Sequence, residues 1–111
     1  MVSHVPVYPF SCHPDDVMSA QVAMRERFLF PDVHVRGHYP SYALKEIARC
    51  GYDIGMQEGD AQILADGMVD YIGFSYYMSA AVQAGAGTAN AGVAVNGGPA
   101  NSVPNPYVTA S

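Results

Sequence analysis

The stretch Val69–Ser79, VDYIGFSYYMS, is the most β-prone run in the chain, dense in aromatic and branched residues. Strict alternation sorts it into two faces. Ile72, Phe74, Tyr76 and Met78 make a large, mostly apolar face, and Tyr71, Gly73, Ser75, Tyr77 and Ser79 a small or hydroxyl-bearing one. Such a strand suits a sheet covered by helices on one side and open to a site on the other. It equally suits a half-buried strand whose polar face meets water.

Upstream, Met1–Tyr8 (MVSHVPVY) reads as a strand, with Pro6 limiting it to an edge or a strand end. Pro14 then opens a helix, where a missing N–H costs nothing, and Asp15 and Asp16 favour the positive end of its dipole. Val17, Ala20, Gln21, Met24 and Phe28 recur at helical spacing and predict a buried stripe over Pro14–Phe28. Arg25 and Arg27 fall in the last turns of that span. Pro31 and Gly37 mark Leu29–Tyr39 as a connector. A second helix is expected over Pro40–Cys50, with Leu44, Ile47 and Ala48 as its stripe, Ala43 alongside and Gly51 closing it. A third spans Gly59–Asp66, with Ile63 and Leu64 buried and Gly67 as its stop. From Ala80 onward the composition shifts to Gly, Ala and Asn, and Gln83–Gly98 reads as a mobile loop. The tail VPNPYVTAS is expected to be extended.

Strand, helices, strand is a βαβ order, which implies parallel strands and a right-handed crossover. Two strands do not make an independent parallel sheet, because each has an unpaired edge. The 111 residues therefore read as part of a larger α/β protein. Half of them are apolar and 14% are charged, which fits a globular chain. The formal net charge of −5, from 5 Lys+Arg and 10 Asp+Glu, argues against nucleic acid and anionic membrane as partners. No apolar run is long enough to span a bilayer and no signal peptide is expected. With Cys12 and Cys50 as free thiols, a cytoplasmic protein is the simplest account.

No constellation in the chain is a self-sufficient active site. His34 and His38 have HxxxH spacing, but Pro31, Gly37 and Pro40 argue against the helix that would make them metal ligands, so no metal is expected. His4 and His13 read as surface or strand-end residues. Asp15 and Asp16 are adjacent and point apart, which makes them a helix start rather than an acid/base pair. Cys50, at a helix C-terminus, has its thiolate disfavoured by the dipole. GAGTANAG lacks the strand-to-helix context of a phosphate loop, and no cofactor is called for.

The runs CHPDDVMSAQVAMRERFLFPDVHVRGHYPSYALKE, DYIGFSYYMS and VPNPYVTAS together resemble glycoside hydrolase family 1, and within it the bacterial 6-phospho-β-glucosidases. The family's D-x-x-x-x-G-x-Y-P element is matched by Asp32, Gly37, Tyr39 and Pro40. Its G-[IF]-[NS]-Y-Y strand is matched by Gly73, Phe74, Ser75, Tyr76 and Tyr77. The resemblance runs from Val5 to Ser111, apart from the Gly/Ala-rich tract. It implies a partial (β/α)8 TIM barrel, from the end of the fifth strand through the sixth with their helices and the following loop. It puts Ile72, Phe74, Tyr76 and Met78 against the outer helices, and Ser75 and Tyr77 inside the barrel.

The same resemblance implies that Tyr77 hydrogen-bonds the nucleophilic glutamate, a contact that lowers a carboxyl pKa. Ser75 stands where many family members carry Asn, and it marks a substrate-facing position. The substrate class implied is a phosphorylated β-glucoside. The T-[FL]-N-E motif of the acid/base glutamate and the [TV]-x-E-N-G motif of the nucleophile are both absent, and Glu26, Glu46 and Glu58 match neither. Retaining glycosidases need both carboxylates, so the 111 residues alone are expected to be inactive. The alternative is a non-catalytic module that self-associates through its unpaired sheet edges. A small flavodoxin-like or nucleotide-binding domain is disfavoured, because no phosphate loop follows either strand.

Overall fold

The computed structural model describes residues 2–3, 6–76, 78–85, 102–103 and 105–107. Its elements are β1 (Val2–Ser3), β2 (Val7–Pro9), α1 (Pro14–Arg36), α2 (Ser41–Cys50), α3 (Asp60–Asp66), β3 (Phe74–Ser75), β4 (Ala80–Val82) and β5 (Ser102–Val103). The chain divides into two compact units, Met1–Met24 with Phe74–Ser111, and Arg25–Gly73.

In the first unit the strands on either side of the helices run parallel, as the βαβ order requires. Val2 pairs with Phe74 and Ser3 with Ser75, and in a second sheet Val7, Tyr8 and Pro9 pair with Ala80, Ala81 and Val82. Hydrogen bonds extend this second ladder at both ends, from Ala80 N to Pro6 O (2.9 Å) and from Phe10 N to Val82 O (2.8 Å). β5 adds antiparallel to β4 through Ala81–Val103 and Val82–Ser102.

Three residues separate Ser3 from Val7, whereas four separate Ser75 from Ala80. The second segment thus carries one extra residue, and a one-residue difference in register is enough to break alternation. Within the strand expected over Val69–Ser79 the described residues form only the short β3, and β4 begins just after it, at Ala80. Phe74 is 61% and Tyr76 58% exposed, so neither is covered by the described helices of this chain. Ala80–Val82, expected to begin the loop, instead forms a central strand, with Ala81 and Val82 fully buried. Gln83, Ala84 and Gly85 leave it by a turn; the remainder of the loop expected over Gln83–Gly98 lies outside the described residues. The tail is not simply extended, since Asn105 Oδ1 accepts the Tyr107 N–H (2.9 Å) in a turn.

The core of this unit is Val7, Ala20, Ala23 and Val82, with Met24 packed against it. The buried face of α1 therefore reads Asp16, Ala20, Ala23, and small side chains let its backbone lie close to β2 and β4. Val17 and Phe28, assigned to the stripe on spacing, are 47% and 45% exposed. Only Ala20 and Met24 of that stripe pack inward.

In the second unit, α1 continues eight residues beyond its expected end at Phe28. Pro31 lies inside it and is buried, as is Val33. One missing donor weakens a helix without ending it when burial of the next turn compensates. The termination is set by Gly37, at φ +70°, whose N–H bonds Val33 O (2.9 Å). The last turn consequently carries His34 and Arg36, and Arg25 and Arg27 are mid-helix.

α2 starts after Pro40 and ends at Gly51, whose φ of +70° and bonds to Ala48 O and Ile47 O match the expected left-handed cap. Its buried residue is Ala43; Leu44 is 48% exposed, and Ala48 is also exposed. α3 buries none of its residues; of the two expected inside, Ile63 is 69% exposed and Leu64 half-buried. Among the described residues no helix is long and apolar enough to cross a membrane.

Candidate functional site

Val7 faces the helix side of the sheet, so its neighbour Tyr8 points to the other side. Tyr8 shares a hydrogen bond with Tyr76, and that bond is the main reason its phenol is raised above the usual tyrosine range. Tyr76 therefore lies beside Tyr8. Ser75 is half-buried in β3, opposite Ser3. Tyr77 lies outside the described residues.

The loops at the carboxyl ends of β2 and β4 are cross-linked by polar contacts. Asp16 is 5% exposed and uses both carboxylate oxygens. Ser11 Oγ donates to Oδ2 at 2.6 Å, and the Ala84 N–H donates to Oδ1 at 2.7 Å. The Ser11 hydroxyl and, next, the Ala84 amide hold this carboxyl below the usual carboxylate range. At the amino end of β4, Asn105 Nδ2 donates to Ser79 Oγ (2.8 Å), and the Tyr107 hydroxyl donates to Phe10 O, just after β2 (3.4 Å).

Sequence reasoning assigned Asp16 only to the helix dipole. Its exposed neighbour Asp15 faces His13 at 3.7 Å and can serve that role alone. A second Asp beside one that already satisfies the dipole was the available signal. Glu26 and Glu58 are exposed, and Glu46 is taken up by Arg49, whose Nε donates to Oε2 at 2.9 Å. His34 lies in the last turn of α1 and His38 beyond its end, after Gly37, so the HxxxH pair shares no helical face. Among the described residues no group of three or more His, Cys, Asp and Glu side chains is placed to hold a metal.

The D-x-x-x-x-G-x-Y-P element is architectural. Asp32 accepts hydrogen bonds from the Tyr42 hydroxyl and from Arg36 Nε (3.5 Å), and the Arg25 guanidinium lies 5.6 Å from the centre of the Tyr42 ring. Burial and the Asp32 carboxylate push the Tyr42 phenol up to about 12. A raised phenol favours the neutral form in the folded state, so its contribution is complete below pH 10 and fades as pH rises through about 12. Denaturation midpoints followed over that alkaline window should fall, and the fall should be shallower in Tyr42→Phe. Equal slopes in both proteins would remove Tyr42 from the account.

All of residues 1–111 match the model of glycosyl hydrolase family 1. The chain belongs to glycosyl hydrolase family 1. Membership implies a (β/α)8 barrel for the family domain, of which the described residues form an α/β portion with a partial sheet. Aryl-phospho-beta-D-glucosidase BglA of Bacillus subtilis (strain 168) is 60% identical over 111 residues, all of this chain and 23% of that protein. A 6-phospho-beta-glucosidase of Clostridium longisporum is 41% identical over 118 aligned residues, again all of this chain and 23% of its own length. The 6-phospho-beta-glucosidase AscB of Escherichia coli (strain K12) is 38% identical over 104 residues, 94% of this chain and 21% of AscB. The chain thus spans under a quarter of the length of these family 1 relatives.

Proposed function

We propose that the chain forms the segment from the end of the fifth barrel strand through the sixth in a retaining, cytoplasmic 6-phospho-β-glucosidase. The observation that carries this is the 60% identity to an aryl-phospho-beta-D-glucosidase along every residue of the chain. In this assignment β1 and β2 belong to the fifth strand, and β3 and β4 to the sixth. Their carboxyl ends then contribute to the rim where such barrels carry their sites. The substrate is a 6-phosphorylated β-glucoside. Tyr77 donates a hydrogen bond to the nucleophilic glutamate, and Ser75 lines the sugar site. Both catalytic carboxylates come from other barrel strands.

The test is an exchange protein in which residues 1–111 replace the matching stretch of BglA. It should release nitrophenol from a 6-phosphorylated aryl β-glucoside and prefer it to the unphosphorylated compound. Equal turnover of the two would overturn the substrate assignment. The 111-residue chain by itself should release none; turnover by the purified chain would show that a working carboxylate pair lies within it. The alternative, a module that pairs its sheet edges with a second copy, draws on the 61% exposure of Phe74 and 58% exposure of Tyr76. A cooperatively melting homo-oligomer in size-exclusion chromatography would favour that alternative.

A further inference from the structure

We infer that Asp16 is a positioning residue for the proposed glycosidase site, fixing the backbone that leaves β4 against the loop that leaves β2. The role rests on the reading above, since it concerns the carboxyl end of β4, where a barrel of this kind carries its site.

The geometry is that of a clamp. One carboxylate oxygen takes the Ser11 hydroxyl from the loop before α1, and the other takes the Ala84 amide, 68 residues further along the chain. The side chain is 5% exposed, so water is a poor substitute for either donor. Both bonds are charge-assisted, the stronger kind. Ala84 lies two residues past Val82, whose carbonyl is already held by the Phe10 amide at 2.8 Å. The exit of β4 is therefore pinned at two points, at Val82 to Phe10 just after β2 and at Ala84 to Asp16 in the first turn of α1. Asparagine in place of Asp16 keeps an oxygen for the Ala84 amide and an NH2 for the Ser11 oxygen, but it loses the charge. Alanine removes both contacts.

Asp16→Ala, Asp16→Asn and Ser11→Ala in the exchange protein test this, read by amide hydrogen exchange of the peptide holding Ala84 and by kcat/KM well below the melting temperature. Asp16→Ala should speed exchange at Ala84 by about tenfold or more and lower kcat/KM by about tenfold. Asp16→Asn should recover most of both, and Ser11→Ala should fall between the two. If Asp16→Ala does not fold, the other two variants carry the same comparison. Unchanged Ala84 exchange would overturn the clamp. Faster exchange with unchanged kcat/KM would overturn the positioning role. An unsubstituted exchange protein that hydrolyses no phosphorylated glucoside would sink the functional reading and the positioning role with it, while Ala84 exchange would still decide the clamp.

Discussion

Gly37→Ala is expected to destabilise the exchange protein by about 2–5 kcal/mol, the sum of a left-handed backbone penalty and an overpacking term. Gly37 closes α1 at φ +70°, a conformation that side-chain-bearing residues adopt at a cost. Space is equally restrictive. A Cβ there would lie 2.9 Å from Ala65 Cα and 2.9 Å from Met68 Cγ, with Leu64 O at 3.1 Å. The methionine end can swing aside, but the backbone of α3 cannot do so without moving the helix. Gly51→Ala supplies the control. It shares φ +70° but has nothing within 4 Å of the added atom, so it should cost only about 1–2 kcal/mol. Chemical denaturation of both variants checks the claim. Equal losses would mean that the contact with α3 contributes nothing and the dihedral alone decides.

Tyr77→Phe in the exchange protein is expected to lower kcat by about ten- to a hundredfold. A hydrogen bond to a charged group contributes about 1.5–3 kcal/mol, and each 1.36 kcal/mol is a factor of ten in rate. The phenol's proposed role is to donate to the nucleophilic carboxylate and hold it ionised. Its loss should therefore also shift the acidic limb of the kcat/KM profile toward higher pH. The two effects belong together. Loss of packing alone would leave the acidic limb where it was, and an unchanged kcat and profile would take Tyr77 out of the mechanism.

The parts of the fold legible in the sequence are those governed by short-range chemistry. Pro14 opens α1, Gly51 closes α2 in the left-handed conformation, Gly67 ends α3, and the strand–helix–strand order gives parallel pairing. What escaped depends on distant partners. Pro31 looks like a helix stop until burial of Pro31 and Val33 is known. The inward face of α1 is chosen by how closely β2 and β4 approach, which favours Ala20 and Ala23 over the larger Val17 and Phe28. The extra residue between β3 and β4, relative to the stretch between β1 and β2, is invisible to alternation. Ala80–Val82, hidden in an alanine-rich run, becomes a central strand because Pro9, Val103 and Ser102 are there to pair with it. The Asp16 clamp joins residues 68 apart in sequence, and no local pattern encodes it. The candidate site was legible only as a family motif. The Tyr8–Tyr76 pair and the clamp are tertiary features, set by which strands and loops meet in the fold.

The central claim is that these 111 residues are one arc of a family 1 barrel whose two reacting carboxylates sit on other arcs. It is tested most directly by the turnover number of the exchange protein on a 6-phosphorylated aryl β-glucoside, measured beside that of unaltered BglA. The account predicts a kcat within about tenfold of the unaltered enzyme. A well-folded exchange protein with no turnover would contradict it.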